Sequence, residues 1–125
     1  MSRLKQAAPF AYEGLDRIFH EKARLGIVSS LAGHADGLGF SDLKSLCSLT
    51  DGNLSRHLQV LEGAGYIHIK KDYDGKRPHT RCRLSAEGHT RFSEYLAALE
   101  QVLRKATKAA RRAHAPARTA LEQPS

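Results

Sequence analysis

Apolar residues in this chain recur at intervals that change from three and four to two and back again, and those changes mark out its elements. Leu15, Ile18 and Phe19 share one side of a short helix predicted from Ala11 to about His20. Leu25, Val28 and Leu31, each three apart, predict a second helix over Lys22–Ala32 that stops at Gly33. A glycine-rich connection, residues 33–39, leads to a third helix. Ser41 is placed to cap it, with Asp42 in the first turn and Leu43, Leu46 and Cys47 on the apolar side. The tight turn Ser48-Leu49-Thr50-Asp51 then opens a fourth helix, residues 50–64, capped by Thr50. Leu54, Leu58 and Leu61 form its narrow apolar stripe, and Gly63-Ala64-Gly65 ends it.

The period now drops to two. Ile67 and Ile69 alternate with His68 and Lys70, which predicts a strand, and Asp74-Gly75 is a hairpin turn. On the returning strand Thr80, Cys82 and Leu84 face one way and Arg81 and Arg83 the other. Ser85 caps a last helix of about 28 residues, 85–112, with Glu87 in its first turn. Phe92, Tyr95, Leu99, Val102 and Ala106 follow at spacings of three and four, the seam of a helix pair, and Leu96 and Leu103 widen it. Such a helix is ~42 Å long, more than so small a core can cover, so the seam Phe92, Tyr95, Leu96, Leu99, Val102 and Leu103 is expected to join two copies. Residues 1–10 read as a flexible arm, 11–112 as one domain, and 113–125, with Pro116 and Pro124, as a disordered tail.

Composition sharpens the picture in three places. With 125 residues the chain holds one core, and with aromatics at 6% and no Trp that core is expected to be built largely from Leu, Ile, Val and Ala. No apolar run approaches the ~20 residues that span a bilayer, and no signal peptide is recognisable, so no membrane partner is expected and the cytoplasm is the expected compartment. Cys47 and Cys82 form neither a disulfide framework nor a spaced metal motif, which again fits a reducing interior.

Charge carries more. Twenty Lys and Arg against thirteen Asp and Glu leave +7, and the excess is concentrated where the hairpin lies. Lys70, Lys71, Lys76, Arg77, Arg81 and Arg83 meet only Asp72 and Asp74 there. A cationic hairpin tip suits phosphates or the electronegative minor groove. The face of the fourth helix opposite its leucines shows Gly52, Asn53, Ser55, Arg56, Gln59 and Val60. Arg can bond guanine with two hydrogen bonds, and Asn and Gln can do the same with adenine. Gly52 lets the helix N-terminus, with its free N–H groups, approach phosphate closely. His57 lies beside the leucine stripe and is expected to bond locally, and Asp51 to stabilise the first turn.

Helix, helix, helix, tight turn, helix, hairpin, long helix is thus an α+β, mainly helical order in which a short brace precedes a polar helix and a basic wing, a DNA-docking arrangement. Residues 50–58, Thr50-Asp51-Gly52-Asn53-Leu54-Ser55-Arg56-His57-Leu58, followed by Leu61-Glu62-Gly63-Ala64-Gly65-Tyr66-Ile67, resemble the recognition helix and wing start of the MarR/ArsR-like winged helix-turn-helix regulators. Lys76-Arg77-Pro78 and Thr80-Arg81-Cys82-Arg83-Leu84-Ser85-Ala86-Glu87-Gly88 are similar to the wing and the helix after it, and His20–Leu25 fits the second helix of that group. The resemblance spans roughly residues 12–104 and implies a homodimeric, DNA-binding transcriptional regulator.

The expectation is therefore a winged helix-turn-helix protein that binds double-stranded DNA as a homodimer on a pseudo-palindromic operator, with repression the expected mode. Thr50, Gly52, Asn53, Ser55, Arg56 and Gln59 are its candidate contacts on the helix, and Lys71, Lys76, Arg77, Arg81 and Arg83 those on the wing. The alternative is a winged helix that binds protein rather than DNA. A small-molecule effector is left open as a partner. Metal sensing, as in ArsR-like relatives, would need converging ligands, and with no Cys-x-Cys or Cys-x-x-Cys neither a metal nor another cofactor is expected. No nucleophile elbow, phosphate loop or His-Glu-x-x-His motif supports an enzyme.

Overall fold

A computed structural model of the chain describes residues 8–122, with side chains as far as His114. Its elements are α1 (Lys22–Ala32), β1 (Leu38–Gly39), α2 (Phe40–Cys47), α3 (Asp51–Gly63), β2 (Ile67–Asp74), β3 (Arg77–Leu84) and α4 (Ala86–Glu122). Three helices pack against a three-stranded antiparallel sheet of order β1-β3-β2, and a long helix follows. This is a winged helix fold, mainly helical.

The first expected helix is absent. Ala11–His20 is a succession of turns, and local chemistry explains it. Asp16 accepts a hydrogen bond from the Ile18 N–H at 2.9 Å and another from the Tyr66 hydroxyl at 3.0 Å. A side chain that bonds its own backbone in this way competes with helix formation. Gly14 lies so close to α4 that an added Cβ would come within 3.0 Å of the Ala98 Cβ. The regular helix begins only after Glu21, whose extended backbone and side chain cap the Ala23 and Arg24 N–H groups. Of the expected N-terminal arm, residues 1–7 lie outside the described residues.

Two boundaries move for a related reason. Leu38 and Gly39, expected in a loop, pair with Cys82 and Arg81, so the wing is the outer part of a three-stranded sheet rather than a lone hairpin. That pairing makes Gly39 the N-cap of α2, and Ser41 joins Asp42 in the first turn instead of capping it. In the hairpin, Ile67 stands opposite Leu84 and Asp74 opposite Arg77, so Asp74 is still paired and the loop is Gly75-Lys76, one residue later than the expected Asp74-Gly75. Gly75 takes φ +67, the positive value that two-residue hairpin loops require at this place.

Aliphatic residues do not fill the core alone. Phe19, fully buried, stacks on Tyr66 with ring centroids 4.9 Å apart and meets Phe92 and Tyr95 at 5.4 and 5.6 Å. Four of the chain's eight Phe and Tyr residues thus converge on one point, around which Ile27, Val28, Leu31, Leu43, Leu54, Leu61 and Ile67 pack. Burial pushes the Tyr66 and Tyr95 hydroxyls up, and His20 Nδ1 lies 2.8 Å from the Tyr95 hydroxyl.

Ser85 caps α4 as expected: its Oγ accepts from the Gly88 N–H at 2.9 Å and donates to the Gly65 carbonyl at 2.6 Å. Gly88 is required here, because a Cβ would stand 2.1 Å from the Tyr66 carbonyl oxygen. The helix runs 37 residues, ~56 Å, and continues to Glu122 through residues that the sequence pattern assigns to a tail. Phe92 and Tyr95, expected in a seam between two copies, are instead buried in their own domain by the aromatic cluster. Leu99 and Val102 are half-buried, while Leu96 and Leu103 remain exposed at 46% and 60%. Among the described residues no helix is long and apolar enough to cross a membrane.

Candidate nucleic-acid interface

Three buried leucines set the orientation of α3. Leu54, Leu58 and Leu61 face the core, and this rotation leaves Gly52, Asn53, Ser55, Arg56, Gln59 and Val60 exposed. Thr50 adopts the extended conformation of a cap, and its Oγ1 accepts from the Asn53 N–H at 3.2 Å. On the open face Arg56 Nη2 donates to Asn53 Oδ1. Two of the candidate base-reading groups therefore hold each other in one exposed pair. Gly52 has nothing within 4 Å of where a Cβ would lie, so no internal packing calls for glycine there. At the same end, Lys44 of α2 reaches Asp51 at 2.8 Å and ties the two helices of the helix-turn-helix together.

A second tether enters from the far side. Arg24 Nε donates to the Ile18 carbonyl at 2.7 Å, and its Nη1 lies 3.2 Å from His57 Nδ1. Glu21 Oε2 stands 3.9 Å from that guanidinium and 3.7 Å from the imidazole. The hydrogen bond from the Arg24 N–H, that from Ala23 and the charges of His57 and Arg24 hold the Glu21 carboxyl below its ordinary value against the opposing effect of burial. His57 is engaged inside its own domain, by Arg24 and Glu21 of the α1 end, rather than by local neighbours as its place beside the leucine stripe led one to expect. Its partners lie more than thirty residues away, and no spacing in the sequence points to them.

Strand register sorts the wing cations into two faces. Lys71 lies opposite Thr80, on the side that continues the core pairs Ile69–Cys82 and Ile67–Leu84. Together with Ser55, Gln59 and Glu62 of α3, Lys71 and Thr80 line a groove between the helix and the wing. Arg77, Arg81 and Arg83 point to the other side, as do Lys70, Asp72 and Asp74. Arg77 and Lys76 lie at the tip, whereas Arg81 and Arg83 lie at the base. Arg81 Nη1 donates to the Asp36 and Gly37 carbonyls, at 3.3 and 3.0 Å, and so fastens the loop that carries β1. Arg83 borders the same loop, its Cβ lying 3.1 Å from where a Cβ on Gly37 would stand. The structure thus brings the α3 face and Lys71 together, places Lys76 and Arg77 at the end of the hairpin, and turns Arg81 and Arg83 away.

The cysteines stand apart from this surface. Cys82 is fully buried, and its thiol is pushed up to about 11 by burial. Cys47 is half-buried, with its Sγ 3.9 Å from Ser30 Oγ. Among the described residues, no group of three or more His, Cys, Asp or Glu side chains converges as metal ligands would.

Comparison with known proteins follows the same lines. Residues 23–103 match the family model of a winged helix DNA-binding domain. An uncharacterized protein of Methanocaldococcus jannaschii is 34% identical over 80 residues, which are 64% of this chain and 86% of that protein. The fold is similar to that of a transcriptional regulator homologue from Pyrococcus horikoshii, with a TM-score of 0.67 and 28% identity over 84% of this chain and 97% of the other. It is shared with CouR, a transcriptional repressor solved on a 23-mer DNA duplex, at TM-score 0.62 and 16% identity over 95% and 86% of the two chains. Regulators of the MarR family have it as well.

Proposed function

The chain belongs to the winged helix DNA-binding domain family, and from that premise we propose that it is a sequence-specific regulator of transcription, a repressor that binds a pseudo-palindromic operator as a homodimer. The observation that carries this reading is the polar face of α3. Its leucines are spent on the core, and what remains exposed is a set of side chains that can read bases. A major groove about 12 Å wide admits one such helix. Arg56 then exchanges Asn53 for guanine, which frees the Asn53 amide for a neighbouring base. Thr50, Gly52, Ser55 and Gln59 complete the contact. Lys71, Lys76 and Arg77 supply phosphate or minor-groove contacts, while Arg81 fastens the base of the wing and Arg83 lies beside it.

Dimerisation uses the part of α4 that its own domain leaves uncovered. Leu96 and Leu103, seven residues apart, are the exposed apolar positions, with Leu99 and Val102 beside them. Two α3 helices then enter successive major grooves ~34–36 Å apart. An effector that alters the distance between them would alter affinity. The activity is binding rather than catalysis.

Selection of bound fragments from random double-stranded DNA, followed by sequencing, tests the proposal. Enrichment of two inverted half-sites about one helical turn apart is the expected result. A protein that enriches no sequence is not a DNA reader and fits instead a winged helix that binds protein.

A further inference from the structure

The far half of α4 carries a second cationic surface, which neither the α3 face nor the wing uses. Arg104, Lys105, Lys108, Arg111 and Arg112 fall within nine residues, and no acid stands between Glu100 and Glu122. The hairpin, by comparison, sets six cations against two carboxylates. At 3.6 residues per turn the five side chains occupy an arc of ~120°, one stripe of the helix. Arg104, Lys108, Arg111 and Arg112 line one open groove there with Leu103 and Thr107. Every residue from Leu103 to His114 is exposed. Arg104 pairs with Glu100 at 2.9 Å, and Lys105 donates to the Pro9 carbonyl at 3.0 Å. Among the described residues Lys108, Arg111 and Arg112 meet no carboxylate.

Solubility alone does not account for the stripe. A solvated face mixes both signs. Here Arg104 and Lys108, and again Lys108 and Arg112, are like charges four residues apart, which weakens a helix. The helix macrodipole does not compensate them, because it acts within the last turn and α4 continues to Glu122. A polyanion laid along the stripe removes the repulsion. Three of the five cations are Arg, whose planar fork bonds phosphate twice. A membrane surface fits less well: an interfacial helix buries Trp, Phe or Leu opposite its cations, and this one shows Ala106, Ala109, Ala110 and Ala113 there. Those alanines continue the line of Leu99 and Val102, so two copies paired along it turn both stripes outward.

Position separates the stripe from α3. Ser85, at the head of α4, bonds the Gly65 carbonyl just after α3. Arg104 lies ~27 Å and Arg112 ~39 Å along α4 from Ala86. The bond from Lys105 to Pro9 is the last polar tie between α4 and its own domain among the described residues. We propose that the stripe binds the phosphate backbone of a second nucleic-acid duplex, so that a molecule seated on an operator through α3 also holds a duplex of unrelated sequence. Binding by the stripe stands without α3; the joining of two duplexes rests on the reading of α3 as the DNA-binding helix.

In the test, the full chain is saturated with an unlabelled duplex enriched from random DNA and titrated with a labelled duplex of unrelated sequence. Capture of the labelled duplex is the expected result, weakening steeply with salt. The triple variant Lys108→Gln, Arg111→Gln, Arg112→Gln keeps good helix formers at exposed positions. It should capture the second duplex at least about ten-fold more weakly, with the salt slope lower by about three. Its operator affinity and thermal midpoint should match those of the parent chain. Equal capture by variant and parent overturns the proposal. So does a loss of operator affinity in step with capture, which places the stripe on the operator itself. A parent chain that binds vesicles of anionic lipid but no second duplex overturns it as well. A chain that enriches no sequence, yet loses its hold on the unrelated duplex in the triple variant, overturns the reading of α3 and leaves the stripe standing.

Discussion

Removing the Phe19 ring tests whether the turns of Ala11–His20 are part of the core or lie loosely upon it. Phe19 is fully buried in a segment without regular structure, and its ring meets those of Tyr66, Phe92 and Tyr95. Truncating a buried Phe to Ala costs ~3–5 kcal/mol, through lost transfer energy and the cavity left behind. The three rings around it resist collapse, because Tyr66 is held by Asp16 and Tyr95 lies within hydrogen-bonding distance of His20. The upper part of that range is therefore expected, ~4 kcal/mol. Total stability for a domain of this size is ~6–19 kcal/mol, so the variant folds but is visibly weakened. With a urea slope of ~2 kcal/mol per molar, its unfolding midpoint should fall by ~2 M. Phe19→Leu keeps most of the volume and loses the ring pairs, and should cost only ~1–2 kcal/mol. A loss below ~1 kcal/mol for Phe19→Ala would refute the aromatic core. It would also detach the Ile18 carbonyl, and with it one anchor of Arg24, from the account of how α3 is positioned.

Four further outcomes can be checked. In DNA binding, Arg56→Ala should cost ~1–3 kcal/mol and relax the preference at one position. Lys76→Ala should weaken all sequences alike and lower the salt slope by about one, and a sequence-selective loss would remove Lys76 from phosphate contact. The depressed Glu21 carboxyl contributes stability that is present above its ordinary value of 4.5 and lost as pH falls through the lower folded value. Denaturation curves of Glu21→Gln should thus differ from those of the parent chain at neutral pH and converge with them in acid, whereas a constant difference would contradict the linkage. At pH 8 a thiol near 11 is ionised in about one molecule in a thousand, so iodoacetamide should modify Cys47 first and reach Cys82 only on unfolding. Equal rates at the two cysteines would show that the sheet opens locally.

What could be read without coordinates follows short-range rules. The Leu54, Leu58, Leu61 stripe, the Thr50 and Ser85 caps and a hairpin turn at Gly75 each depend on residues within a turn or two of one another. Those signals suffice for the winged helix and for the rotation of α3, and hence for its polar face. Sequence pattern and structure diverge where distant segments decide the matter. Residues 11–20 have helical spacing, yet Asp16 and Gly14 serve contacts with Tyr66 and Ala98. Leu38 and Gly39 form a strand only because β3 offers them Cys82 and Arg81. Phe92 and Tyr95 repeat like a dimer seam, and one ring, Phe19, claims them for the monomer.

The same division runs through the interface. Which face of α3 is exposed follows from its own sequence, because a 3.6-residue period assigns every position once the leucines are buried. What holds that helix in place does not: Arg24 and His57 are 33 positions apart, and the surface they tie down exists only after α1 has packed. On the wing, alternation separates Arg81 and Arg83 from Thr80, Cys82 and Leu84 in the sequence itself. Only the sheet shows that Lys71 faces α3 while Arg81 fastens the β1 loop, since register and packing, not composition, decide which side of a strand meets the rest of the protein.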